Sequence, residues 1–159
     1  MDNLLSTIVS NTYTRSDLRR RISLIRNYYE TQLFGTKGIE EDISADDKTW
    51  LETVVKNTSS VTKDTITQVF TDVEEESEKL PFLSVFIPID LPADEIDRLA
   101  RSIREDYGKN SLILDLRIDP LLIAGCALAW GGVYRDYSIR QSIQNRKDEI
   151  IASFRKYIR

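Results

Sequence analysis

The side chains of this sequence that could carry chemistry are carboxylates, arginines and one thiol; histidine is absent. Without histidine there is no Ser-His-Asp or Cys-His pair and no histidine-ligated metal. Neither of the glycine-rich phosphate loops, GxxxxGKS/T or GxGxxG, occurs. The close carboxylates Asp46/Asp47 and Asp94/Asp97 have the spacing for acid–base work. Both pairs fall in or near the first turn of an expected helix, where negative charge is favoured by the peptide dipoles. Cys126 stands among Gly125, Ala127 and Leu128, the setting of a small buried residue. As the sole cysteine it excludes an internal disulfide or a multi-cysteine zinc site, and it suits a reducing compartment. Arg19-Arg20-Arg21 and the basic tail (Arg146, Lys147, Arg155, Lys156, Arg159) could meet phosphate. Three consecutive arginines on a helix, however, spread around it and do not form one contiguous surface.

These residues must be positioned by a chain of 159 residues, enough for one ordinary domain or two small ones. Apolar residues make up 41% and charged residues 30%, proportions that allow a buried core in a soluble protein. Net charge is only −4, so no global field marks a nucleic-acid binder. The acid is nonetheless concentrated: eleven Asp/Glu face four Lys between Glu41 and Lys79. Basic residues gather from Arg15 to Arg26 and again after Arg135, which fits either solvated helix faces or partner surfaces of opposite sign. No stretch approaches the roughly 18 to 20 apolar residues of a membrane span. Met1 to Asn11 lacks the basic start and apolar centre of a secretory signal.

The first 80 residues read as a helical bundle. Leu18, Ile22, Ile25, Tyr29 and Leu33 fall on one helix face between Thr14 and Phe34, and Gly35 and Gly38 end the run. Ser44 with Asp46 and Asp47 starts a second helix, which pairs Trp50 with Val54 and Leu51 with Val55. A third, from about Ser60 to Lys79, carries Ile66, Val69, Phe70, Val73 and Leu80. Its far end holds Glu74, Glu75, Glu76 and Glu78, the wrong sign for a helix C-terminus, so fraying or a partner is expected there.

Near Pro81 the periodicity changes, and residues 81–159 read as a small mixed-sheet domain of order β-α-β-β-β-α, giving an α+β chain overall. Phe82 to Ile87 has strand composition, and Pro88 stops it or keeps it at an edge. Pro92 opens a helix faced by Ile96, Leu99, Ala100, Ile103 and Tyr107, and Gly108 closes it. Leu112, Leu114, Leu116 and Ile118 alternate with Ile113, Asp115 and Arg117. Ala124 to Trp130 then meets the Gly131-Gly132 turn, and Val133 to Tyr137 returns as a hairpin. Ser138 caps a final helix carrying Ile139, Ile143, Ile150, Phe154 and Ile158. At 1.5 Å per residue a helix from Ser138 to Ile158 is about 30 Å long, longer than a short strand can cover. The seam Ile143, Ile150, Phe154 and Ile158 is therefore either core or a surface for a partner helix.

Two strings in this half resemble a known family. Asp119-Pro120, Leu122-Ile123 and Gly125, followed by Asp136-x-Ser138-x-Arg140, are similar to the signature of the delta/OSCP subunits of F-type ATP synthases. There, an alternating strand leads into Asp-Pro-x-Leu-Ile-Gly-Gly, and a hairpin ends in Asp-x-Ser-x-Arg. Physically, Asp119-Pro120 turns the chain, Gly125 permits a close backbone approach, and Asp136 or Ser138 caps the last helix. Ala124 replaces the first glycine of the family pattern, and Tyr137 and Gln141 replace smaller flanking residues. The N-terminal region is one or two helices shorter than the family's six-helix bundle.

The resemblance implies a non-catalytic stator subunit without cofactor or metal. It implies that the N-terminal helices hold helices of the alpha subunit and that the C-terminal domain grips the peripheral-stalk b subunit, with Ile143, Ile150, Phe154 and Ile158 as contact residues. Nucleic acid is not an expected partner. The location implied is the cytoplasmic face of an energy-transducing membrane, the bacterial plasma membrane, with attachment only through the complex. Two other classes stay open: a small nucleic-acid-binding protein using the basic terminal helix, and an enzyme acting through an acidic pair.

Overall fold

The computed structural model describes residues 2–35, 43–57 and 61–157. The fold is α+β: among those residues seven α-helices accompany one four-stranded mixed sheet. Helices α1 (Asp2–Ser10), α2 (Arg15–Phe34), α3 (Ala45–Asn57) and α4 (Ile66–Glu78) come first. The order then runs β1 (Phe82–Ile87), α5 (Ala93–Tyr107), β2 (Ile113–Ile118), β3 (Ala127–Trp130), β4 (Val133–Asp136), α6 (Ile139–Asn145) and α7 (Lys147–Tyr157).

Local chemistry sets most helix ends. Thr14 caps α2, its Oγ1 accepting from the Asp17 amide at 3.1 Å. Ser44 and Asp47 cap α3 reciprocally, the Ser44 hydroxyl accepting from the Asp47 amide and donating to its carboxylate. Gly35 ends α2 in a left-handed conformation; Gly38 lies outside the described residues. The α2 face is as expected, with Leu18, Ile22, Ile25 and Tyr29 buried and Leu33 packed at the margin. The third expected helix starts later than its sequence suggests: residues 63–65 form a turn, α4 begins at Ile66, and position 60 lies outside the described residues. Helix α1 has its own double stripe, Leu4, Ile8 and Val9, which closes this first core.

The acidic end of α4 is held within the chain. Glu78 accepts from Arg15 (2.9 Å) and Arg19 (3.2 Å), and Glu74 from Arg26 (3.3 Å), all on α2. Each exposed pair contributes little alone, but three of them oppose an unfavourable helix end.

In the sheet the order is β2-β1-β3-β4, with β1 parallel to β2 and antiparallel to β3. Strand β1 is thus central, and Pro88 ends it. Pro92 is the cap of α5, one residue before the helix, and Gly108 closes that helix at φ +60°. Helix α5 packs its Ala100 and Ile103 on Leu83, Val85, Leu112 and Leu114 to form a second core. The strict alternation assigned to β2 fails at both ends. Ile113 is fully buried on the opposite face, in the first core with the N-terminal helices. At the other end Ile118 is 58% exposed. So one end of β2 is covered on both faces and the other end is not.

Arg104 ties these layers together. Its Nε donates to Leu112 O (2.8 Å), its Nη2 to Thr12 O (2.6 Å) and Val9 O (3.3 Å), and its guanidinium stacks on Tyr13. Burial pushes its pKa below the usual arginine value. A parallel bridge from Thr14 to Leu114 adds a further backbone link between the halves.

The hairpin spans less than expected, because β3 begins at Ala127; residues 120–126 form a short 3-10 turn and an irregular crossing. The single terminal helix expected from Ser138 is two helices, broken at Arg146, where φ −108° and ψ 13° leave the helical region. No described helix is long and apolar enough to cross a membrane.

Candidate functional site

The residues Asp119 to Gly125 and Asp136 to Arg140 are distant in sequence order of elements but meet in one joint. Asp119 caps the 3-10 turn Pro120–Leu122, accepting from the Leu121 amide at 3.0 Å, and Leu122 anchors the turn with 3% exposure. The next residue, Ile123, sits at φ 66°, ψ −57°, with Ala124 N donating to Leu122 O at 2.8 Å. This is a γ-turn of the rare, strained hand, and a β-branched residue occupies its centre.

The segment after it lies against the start of α6. Tyr137 N donates to Cys126 O, and Ile139 N to Ala124 O, both at 2.9 Å. Between these bonds Gly125 (φ +86°) comes so close that an added Cβ would meet Tyr137 O at 2.5 Å and Ser138 Cα at 3.0 Å. Ser138 is fully buried; its hydroxyl accepts from the Gln141 amide (3.2 Å) and caps α6. Asp136 accepts from Ser138 N at 2.8 Å. Hydrogen bonding from the Ser138 side chain, then from its amide, holds the Asp136 carboxyl below its ordinary pKa, with Arg140 adding a smaller attraction. Arg140 itself is exposed. Cys126 is half-buried against the second core, and burial raises its thiol pKa.

This joint launches α6 and α7 into solvent. Ile143 is 49%, Ile150 37% and Phe154 63% exposed, and Arg146, Glu149, Ile150, Ser153 and Phe154 line a shallow hollow of about 430 Å³. Of the expected seam, Ile150 and Phe154 share this hollow, Ile143 is exposed on α6 across the break at Arg146, and Ile158 lies outside the described residues.

A second surface was not singled out from the sequence. Helices α1 and α4 leave a groove of about 520 Å³ with an apolar floor of Leu4, Leu5, Val9, Val69, Val73 and Leu80. Asp72, Glu75 and Glu76 rim it. The signal was present, since Asp72 and Glu76 follow Val69 and Val73 at a spacing of three along α4, but α1 had to be placed before a groove existed.

The model of the ATP synthase delta (OSCP) subunit family matches residues 28–150, from the middle of α2 into α7. The chain belongs to that family. A curated relative, ATP synthase subunit delta of Lactobacillus johnsonii, is 24% identical over 111 residues, covering 70% of this chain and 61% of the relative. The chain therefore spans less than two thirds of that delta subunit's length. The matched region includes every residue of the joint.

In this delta/OSCP-family chain several of the other chemically suggestive residues have structural employment. Asp47, 4% exposed, is paired with Arg20 and lies 3.9 Å from the Arg21 guanidinium. Arg21 also stacks on Trp50 at 4.6 Å and donates to Thr12 Oγ1 and the Asn11 carbonyl. Arg19 is engaged with Glu78, so the three consecutive arginines serve three different contacts. Asp46 is exposed, and Asp94 pairs with Arg98 at 3.4 Å on the outer face of α5, where Asp97 is half-exposed. The structure does not bring Asp94 and Asp97 to either the α1–α4 groove or the α7 hollow.

Proposed function

We propose that this chain is a stator subunit of an F-type ATP synthase. It links the catalytic head to the peripheral stalk without catalysing a reaction, and so keeps proton translocation coupled to ATP synthesis. Residues 1–80 form the head-facing unit, with helices of the alpha subunit held in the α1–α4 groove. Residues 81–159 form the stalk-facing unit, with the b subunit gripped by the α6–α7 seam. The protein reaches the cytoplasmic face of the energy-transducing membrane as a peripheral part of the complex.

The observation that carries this reading is the exposed seam of Ile143, Ile150 and Phe154 on helices whose base is fixed by the Gly125–Ser138 joint. A stator needs a rigid handle with apolar surface at its end, because resisting torque depends on slow dissociation. Family membership supports the same role.

The test is a pull-down of the b and alpha subunits under native conditions, with Phe154→Asp as the variant. Phe154 is largely exposed, so the variant should fold normally and lose b-subunit binding by more than about tenfold, while alpha binding persists. Capture of neither subunit by the wild-type chain would sink the stator reading. Unchanged b binding by the variant would remove the seam from it.

A further inference from the structure

The two surfaces just described match each other in size and charge. Helix α7 has 11 residues and α4 has 13, or about 16 and 20 Å of helix, so α7 is nearly as long as the groove beside α4. On α7, Ile150 and Phe154 form one apolar row and Ile151 lies beside them, flanked at i−4 and i+4 by Lys147 and Arg155. Glu149, which also borders the seam, is turned onto Arg146 at 3.5 Å. Lys147, Arg155 and Lys156 have no ion pair among the described residues. The groove's lining has no cation; of its three carboxylates Glu76 is in an ion pair with Lys79 at 2.6 Å, and Asp72 accepts from Gln68 Nε2 at 2.6 Å. A basic-edged apolar helix and an acid-rimmed apolar groove thus stand open on one molecule.

They do not meet within the molecule. The groove lies where β1 and β2 begin, bordered by Leu80 and Ser111, whereas α6 starts beside the turn that follows β2. The six-residue strand β1 separates these ends by about 20 Å. The backbone bonds of Tyr137 and Ile139 and the close contact at Gly125 fix the departure of α6 at the end of the sheet away from the groove.

We propose that the free protein forms a reciprocal homodimer in which α7 of each copy occupies the α1–α4 groove of the other. A two-fold axis makes both contacts at once. One short helix buries too little surface for a stable complex, and the paired exchange doubles it toward the roughly 1,200–2,000 Å² typical of specific interfaces. Such a dimer covers both surfaces that the stator reading assigns to partners, and therefore acts as a store that opens on assembly. The dimer itself does not depend on that reading.

The experiment is sedimentation of the full chain alone across the micromolar range. A reversible monomer–dimer equilibrium is expected, with Phe154→Asp and Glu75→Lys each raising the dimer dissociation constant more than about tenfold. Combining Glu75→Lys with Arg155→Glu should recover affinity, since the charges are exchanged on both sides. In a mixture of ¹⁴N and ¹⁵N chains, carbodiimide should join α4 carboxylates to Lys147 or Lys156 of the other isotope. A monomer at every concentration, a dimer indifferent to Phe154→Asp and Arg155→Glu, or cross-links confined to one isotope would each overturn the proposal. No alpha or b subunit is present, so such a failure leaves the pull-down result for the stator reading untouched.

Discussion

Replacing Gly125 by alanine tests whether the family strings act through the joint. At φ +86° an L-residue costs about 1–2 kcal/mol. The new methyl would then lie 2.5 Å from Tyr137 O and 3.0 Å from Ser138 Cα, both backbone atoms that cannot swing aside. Overpacking of this kind costs about 1–3 kcal/mol, offset by about 0.4–1 kcal/mol from the stiffer unfolded chain. The net destabilisation is about 2–4 kcal/mol, which in a chain of 159 residues lowers Tm by roughly 4–15 °C. Gly108→Ala provides the control: its φ is +60° but nothing lies within 4 Å of the added carbon, so about 1 kcal/mol is expected. Urea unfolding followed by circular dichroism gives both values, and amide exchange at Tyr137 and Ile139 shows where Gly125→Ala acts. Equal costs at the two glycines, or unchanged protection at Tyr137 and Ile139, would refute the close-approach argument.

Arg104→Met removes the donor shared by three carbonyls and should destabilise the chain by about 2–5 kcal/mol, with faster exchange in native-state measurements at the Leu114 amide, which donates to Tyr13 O. Ile123→Gly relieves the strained γ-turn at little loss of burial, because the side chain is 66% exposed; unfolding free energy should hold or rise by about 1 kcal/mol, and a fall of that size would contradict the strain. The depressed Asp136 pKa means its ionised form is favoured by folding, so its contribution is present above the ordinary carboxylate range near 3.8 and fades as pH falls through the lower folded value. Thermal melts of wild type and Asp136→Asn should therefore differ at neutral pH and converge in acid; a constant gap would show that the charge is not involved.

Several features were legible because they depend on neighbours within four residues. The caps at Ser44 and Ser138, the stop at Gly108 and the buried face of α2 all satisfy local backbone groups or helix periodicity. Asp119-Pro120 and Asp136-x-Ser138-x-Arg140 were likewise readable as turn and cap chemistry, and their resemblance to the delta/OSCP pattern was enough to name the family. The break at Arg146 and the late start of α4 were not visible, since single-residue departures from helical geometry leave the apolar spacing almost unchanged.

The sequence by itself determined where most elements lie and the α+β class, because these follow from short-range hydrogen bonding and the period of apolar side chains; the family rested on the resemblance of two short strings. Only the tertiary structure decided which faces are covered. It buried Ile113 beneath the N-terminal helices, although alternation assigned it outward. It brought Glu78 to Arg15 and Arg19, and Arg104 to Val9 and Thr12, across 59 to 95 residues. It set Gly125 against Tyr137, and it left Ile143, Ile150 and Phe154 in solvent where the sequence allowed either core or surface. Burial is a property of whatever packs opposite a residue, and that partner is chosen by the whole chain.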